Sequence, residues 1–200
     1  MYKSIIFLFM LSFSSSVIFS QTYDTRYSAD YVLKDAKGNE LSRMKHYRSG
    51  NKLKFTKVSN KGKDNEQTTD VYIMKDEAKV YTVTTTKNLK MGNRHAMDLS
   101  YVGMLTGVYI LDLGNDGTLF NSNIRNGSMS VLGHDCEVYT IIQFGDAKSE
   151  YYMYQDNLML KRWVGSPTEG NSIEAVTYDT SGDVPESIFT LPADVQFQDY

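Results

Sequence analysis

Residues 27–33 alternate, with Tyr27, Ala29, Tyr31 and Leu33 on one side and Ser28, Asp30 and Val32 on the other. A period of two predicts a half-buried strand. The turn Ala36-Lys37-Gly38-Asn39 follows it. Two further strands are predicted at 41–48 and 52–58, joined at Ser49-Gly50-Asn51. In the second, Leu53 and Phe55 share a face against Lys52, Lys54 and Thr56. After a polar loop at 59–67, residues 70–75 and 79–85 predict a hairpin around Asp76-Glu77. Its Val71, Tyr72, Ile73, Val80, Tyr81 and Val83 are strand-favouring residues.

The pattern changes near Asn93. Met97, Tyr101, Met104, Leu105 and Val108 recur at helical spacing, so a short amphipathic helix is expected over 97–105, capped at Asn93. Residues 109–113 read as a strand or a helix tail, and Gly114-Asn115-Asp116-Gly117 as a turn. Strands resume at 128–132, 136–143, 149–155 and 158–164, with Asp156-Asn157 closing the last hairpin. Residues 172–179 form the last clear strand, and Pro185 and Pro192 confine the tail to turns and edges. About nine strands and one modest helix make a large, mostly antiparallel sheet, which must curl, close or be covered. The mid-chain helix is the natural cover of its concave side. A half-barrel crossed by that helix, a closed barrel and a sandwich all satisfy the pattern.

The chain has 200 residues, 41% of them apolar and 22% charged, and suits one domain with a real core. Lys3, the apolar run 5–11 and the serine-rich stretch ending at Ser20 read as a secretory signal. The expected division is thus 1–20 signal peptide and 21–200 a single β domain, exported to the periplasm or beyond. The lone Cys136 excludes a disulfide scaffold and supplies no lipid-anchor cysteine near the cut; it is expected to be buried. Between residues 34 and 63 ten bases meet only Asp35 and Glu40, a local charge of +8, whereas the net charge of the whole chain is -3. This region is the candidate surface for an acidic protein partner or an anionic membrane, against the plainer reading of a solvated sheet face. No nucleic-acid partner is expected.

Candidate chemistry is thin. His46, His95 and His134 lack metal-type spacing, and His46 and His134 are expected to be solvated. Residues 112–117 have a weak likeness to a calcium loop without its closing glutamate. There is no Gly-x-Ser-x-Gly and no phosphate loop. No catalytic residue, metal ligand or cofactor is therefore assigned, and a non-enzyme is expected. Asn126-Gly127-Ser128 fits a glycosylation sequon.

Five stretches carry a family resemblance. They are residues 47–55 (Tyr47-Arg48-Ser49-Gly50-Asn51-Lys52-Leu53-Lys54-Phe55), the hairpin at 71–81, the glycine turn into a strand at 131–139, the hairpin at 151–163, and the ending Ile188-Phe189-Thr190-Leu191-Pro192. In this order they resemble the LolA/LolB superfamily, the lipoprotein-carrier fold of the bacterial periplasm, and more narrowly its uncharacterised secreted members. Two departures separate the chain from the best-known members: residues 21–26 leave no room for the helix that precedes the first strand in the dedicated carriers, and the N-terminal cysteine that the lipid-anchored acceptor member would need is not present.

The resemblance implies a mainly β fold, a curved antiparallel half-barrel covered by one or two short helices. It further implies an apolar cavity for a lipid or lipoprotein acyl chain. Candidate lining residues are Leu53, Phe55, Val71, Ile73, Leu158 and Leu160 from the sheet, and Met97, Tyr101 and Met104 from the helix. Two functions follow: a carrier with a hollow interior, or an interaction or sensor module with a filled one.

Overall fold

The computed structural model describes residues 23–97, 106–113, 120, 124–142, 147–166 and 169–200. The predicted signal, Tyr101 and Met104 lie outside them. Twelve strands form one open sheet: β1 (Arg26–Asp35), β2 (Glu40–Ser49), β3 (Lys52–Ser59), β4 (Gln67–Met74), β5 (Lys79–Thr86), β6 (Lys90–Ala96), β7 (Arg125–Val131), β8 (His134–Ile142), β9 (Lys148–Tyr154), β10 (Leu158–Gly165), β11 (Gly170–Asp179) and β12 (Phe197–Asp199). Their spatial order is β12-β6-β5-β4-β3-β2-β1-β11-β10-β9-β8-β7. Two meanders, β1 to β6 and β7 to β11, are thus joined where β1 pairs with β11. All pairings are antiparallel except β12 with β6.

Curvature follows from the core. Tyr27 and Tyr31 of β1, Leu53 of β3, Ile73 of β4, Tyr151 of β9 and Leu160 of β10 belong to one buried cluster, which strands so far apart share only if the sheet bends around them. The predicted half-barrel is the observed architecture. A bulge between Met159 and Lys161 lets Leu158, Met159 and Leu160 all be buried in succession.

A second cluster lies on the opposite face. Tyr72 and Met74 of β4 and Tyr81 and Val83 of β5 pack against Val184, Phe189 and the C-terminal segment. This explains why Val71-Tyr72-Ile73-Met74 is buried without alternation: both faces of β4 are covered.

Three sequence expectations change. Asn93 caps no helix; it sits inside β6, opposite Thr82. The polar composition of β6 hides it, yet it pairs the far side of β5, which would otherwise be an edge. The β9–β10 turn falls one residue earlier than expected: Gln155 and Asp156 have positive φ, and the Asn157 N–H donates to the Tyr154 carbonyl at 3.0 Å. Residues 109–113 are neither a strand nor a helix tail; a bridge at Ile110 leads into a single 3-10 turn at Leu111–Leu113.

Gly92 of β6 has a steric reason. A Cβ there would lie 2.9 Å from Phe197 Cδ1 and closer still to Val195 Cγ1. Gly92→Ala is expected to lift the C-terminal segment off β6, costing about 1 kcal/mol because the segment can move away. Faster proteolytic trimming of residues 190–200, with the sheet's circular dichroism unchanged, is the readout.

Candidate functional site

Leu53 and Phe55 of β3, Val71 and Ile73 of β4, and Leu158 and Leu160 of β10 all reach the concave face. None is more than 4% exposed, and all six belong to the same cluster. Met97 packs against that cluster, its N–H donating to the Ala78 carbonyl at 2.9 Å. The helical candidates Tyr101 and Met104 lie outside the described residues. In this part of the concave face the predicted lining residues pack on one another.

Residues 106–113 cross that face and cover it. Val108, Ile110 and Leu113 are buried in the cluster, with Phe120 beside them. Backbone pairing fixes the crossing: the Met159 N–H donates to the Tyr109 carbonyl at 2.9 Å, and the Leu111 N–H to the Asn157 carbonyl at 3.0 Å. An ion pair between a buried arginine and a half-buried aspartate clamps its end. Arg48 of β2, 1% exposed, donates from Nη1 to Asp112 Oδ1 at 3.0 Å, from Nη2 to Asp112 Oδ2, and from Nε to the Gly50 carbonyl at 3.1 Å. The buried Asn157 side chain accepts the Asp112 N–H at 2.8 Å, and Lys75 donates to the Asp112 carbonyl at 2.6 Å. Burial pushes the Asp112 acid upward, but hydrogen bonding and charge from Arg48 outweigh it and hold it below the usual carboxylate range.

Beside the cover the inner face turns aromatic. Phe120 meets Tyr139 edge-on at 5.4 Å and Tyr151 at 5.1 Å, and Tyr109 meets Tyr151 at 5.5 Å. One lateral row of the register runs from Tyr139 through Tyr151, Arg162 and Ile173 to Leu33. At the Leu33 end a cleft of about 250 Å³ opens among Leu33, Arg162, Val164, Asn171 and Ile173. Gly107 borders Ile173 so closely that a Cβ would lie 2.8 Å from Ile173 Cδ1. Arg162 lies over the Tyr151 ring at 5.3 Å and the Tyr109 ring at 6.0 Å. Its Nε is buried with no acceptor, and it forms no ion pair among the described residues.

The polar residues read differently from the sequence. His46 is fully buried, not solvated, its ring centroid 4.4 Å from Tyr31 and 3.9 Å from Phe55. Both of its nitrogens lack a hydrogen-bond partner among the described residues, and burial holds its pKa well below the ordinary value. His134 is half-buried against Tyr154 and Tyr178. Cys136 is buried, as expected, and burial pushes its thiol up to about 11, which suppresses the thiolate. Among the described residues no three of His, Cys, Asp and Glu gather as a metal site would require.

Much of the charge of the basic stretch 34–63 is paired where the chain folds. Six of its ten bases meet carboxylates: Lys34 with Glu174, Arg43 with Glu40, Lys45 with Asp30, Arg48 with Asp112, Lys52 with Glu186 and Lys54 with Asp70. Arg48, Asp112 and Arg162 are the residues sequence reasoning missed as site components. Only their place on inward strand positions and on the crossing segment marks them, and neither is visible before the register is known.

No family model matches the chain, and no curated protein matches it. The solved structure of PNGF-II superposes with a TM-score of 0.53 at 10% identity, over 88% of this chain and 32% of that one. The crystal structure of MucB superposes with a TM-score of 0.49 at 12% identity, over 85% of this chain and 58% of that one. The MucA/MucB complex of Pseudomonas aeruginosa gives 0.48 at 13% identity, over 85% of this chain and 57% of that one. The chain therefore spans about a third of PNGF-II. At such identities the likeness is one of fold alone.

Proposed function

We propose that the chain is an exported binding protein without chemistry of its own, which holds a small hydrophobic ligand on the concave side of its half-barrel. The observation that carries this reading is the cleft at Leu33, Val164 and Ile173, where the inner face stops being filled by its own side chains. The centre of the face, at Leu53, Phe55, Ile73 and Leu160, is solid. A ligand therefore sits at the end of the concave face, beside Gly107 and the crossing segment. At about 250 Å³ the cleft is small for a ligand site and suits one acyl chain rather than a bulky lipid. Burying each methylene there contributes about 0.8 kcal/mol. The export part rests on the sequence pattern of residues 1–20.

The test is native mass spectrometry of protein beginning at Gln21, followed by solvent extraction and by uptake of an added acyl probe. A co-purifying lipid mass or saturable one-to-one uptake supports the reading. Val164→Asp is expected to weaken uptake at least about tenfold, since a carboxylate in the cleft must be desolvated, while the melting temperature stays within a few degrees. A clean mass with no uptake overturns it.

A second reading is favoured by β7. Arg125 to Ser130 are exposed, and no strand pairs with the far side of β7 among the described residues. Such an edge accepts an extended segment of a partner protein. Abolition of partner binding by a proline at Ser130, with acyl uptake unchanged, would assign recognition to this edge.

A further inference from the structure

Arg162 is an anomaly in its surroundings. It lies on an inward position of β10, between Ile173 of β11 and Tyr151 of β9. The walls of its cleft are Leu33, Val164 and Ile173, with Asn171 the sole other polar residue there. Most bases elsewhere on the sheet, Lys57 and Lys79 aside, find carboxylates, such as Lys34 and Lys161 with Glu174, Lys148 with Glu150, and Arg48 with Asp112. Arg162 finds none among the described residues. The faces of Tyr109 and Tyr151 attract the guanidinium but accept no directed hydrogen bond in the plane of its fork, and its Nε stays buried and unsatisfied. An unmatched fork of donors bordered by aliphatic side chains is complementary to one kind of molecule, an anion carrying an apolar tail.

We infer that the cleft selects amphiphilic anions, with Arg162 holding a carboxylate or phosphate head group while Leu33, Val164 and Ile173 contact the first methylenes of its chain. The inference rests on the hydrophobic-ligand reading above and adds to it the charge of the ligand. Both ring contacts of Arg162 support its role: Tyr109 belongs to the crossing segment and Tyr151 to the sheet, so the guanidinium is held from two sides and its fork is oriented before a ligand arrives. Asn171, opposite Val164 in the register, supplies an amide at the mouth of the same cleft.

Calorimetric titration of the protein beginning at Gln21 with decanoate, methyl decanoate and decanol tests this without any substitution. The chain is the same in all three, and only decanoate carries a charge. Decanoate is expected to bind roughly tenfold or more tightly than the ester and the alcohol. Dodecyl phosphate against dodecanol asks the same of a phosphate head group and tells the two sources of charge apart. In Arg162→Gln the preference for the anion is expected to collapse while binding of decanol and the melting temperature persist. Equal binding of acid, ester and alcohol overturns the inference and leaves the hydrophobic-ligand reading standing. An anion preference that survives in Arg162→Gln overturns it too, because the charge is then read elsewhere. Failure of all three compounds to bind overturns both readings at once.

Discussion

Asp112→Asn lowers the stability of the fold by about 3–5 kcal/mol in urea denaturation at neutral pH, the loss expected when one partner of a buried ion pair is removed. The size follows from Arg48. At 1% exposure its guanidinium has no water to turn to, and Asp112 supplies the acceptor for both of its Nη groups. The amide that replaces the carboxylate keeps one acceptor and brings a donor against a donor. A charged group then stays buried without a counter-ion. The loss is local in origin and global in effect, because Asp112 ends the segment that covers the concave face. Arg48→Met combined with Asp112→Leu is expected to recover most of the loss, since an apolar pair needs no desolvation of charge. A single variant that unfolds at the wild-type midpoint would show that the backbone bonds to Asn157 and Met159 and the burial of Val108, Ile110 and Leu113 hold the crossing segment without the ion pair.

The second large effect is one of acidity. Burial between Tyr31 and Phe55 keeps the His46 imidazole neutral in the folded chain, its pKa far below the ordinary value near 6.5. The unfolded chain has no such constraint and takes up a proton once the pH falls below about 6.5. Unfolding then binds a proton that the native state refuses, so stability decreases as the pH is lowered, by about 1.4 kcal/mol per unit. At pH 5 this amounts to roughly 2 kcal/mol. Burial is the cause that acts on the ring, and no neighbouring carboxylate holds the imidazolium in place. His46→Phe removes the titration and the two unsatisfied nitrogens while keeping an aromatic ring between its neighbours. Its unfolding free energy is expected to change between pH 7 and pH 5 by about 2 kcal/mol less than that of the wild type. Parallel pH dependence of the two proteins would mean that the folded state already accepts the proton at His46.

The same two residues mark where the sequence stops being legible. Strands buried on one face announced themselves: Tyr27, Ala29 and Tyr31 alternate in the sequence and are all buried. In β2 the apolar residues divide between the two faces, Leu41 and Tyr47 outward, Met44 inward, so alternation could not decide that His46 and Arg48 face the core. What settles their direction is pairing with Tyr31 and Phe55 on neighbouring strands and with Asp112, 64 residues away. β6 was unreadable for another reason. Its Gly92, Asn93, Arg94 and His95 carry no hydrophobic period, and it is a strand because β5 offers it a ladder. The run Val71 to Met74 was visible, but its outer cover comes from Val184 and Phe189, more than a hundred residues later. The cleft at Arg162 depends on β1, β10 and β11 lying side by side, which local patterns do not encode.

The seam between β1 and β11 also sets the order in which the molecule can assemble. Hairpins within each meander close over short loops and form early. The seam instead joins residues such as Asp30 and Thr177, 147 positions apart. A ribosome or a translocation channel delivers β1 among the first segments and β11 among the last. Through that interval one flank of β1 is an unpaired edge carrying Tyr27 and Tyr31, the kind of surface that mispairs with another chain. Arrival of residues 170–179 pairs that edge and completes the concave core in one step, so commitment to the native state waits for β11 to emerge.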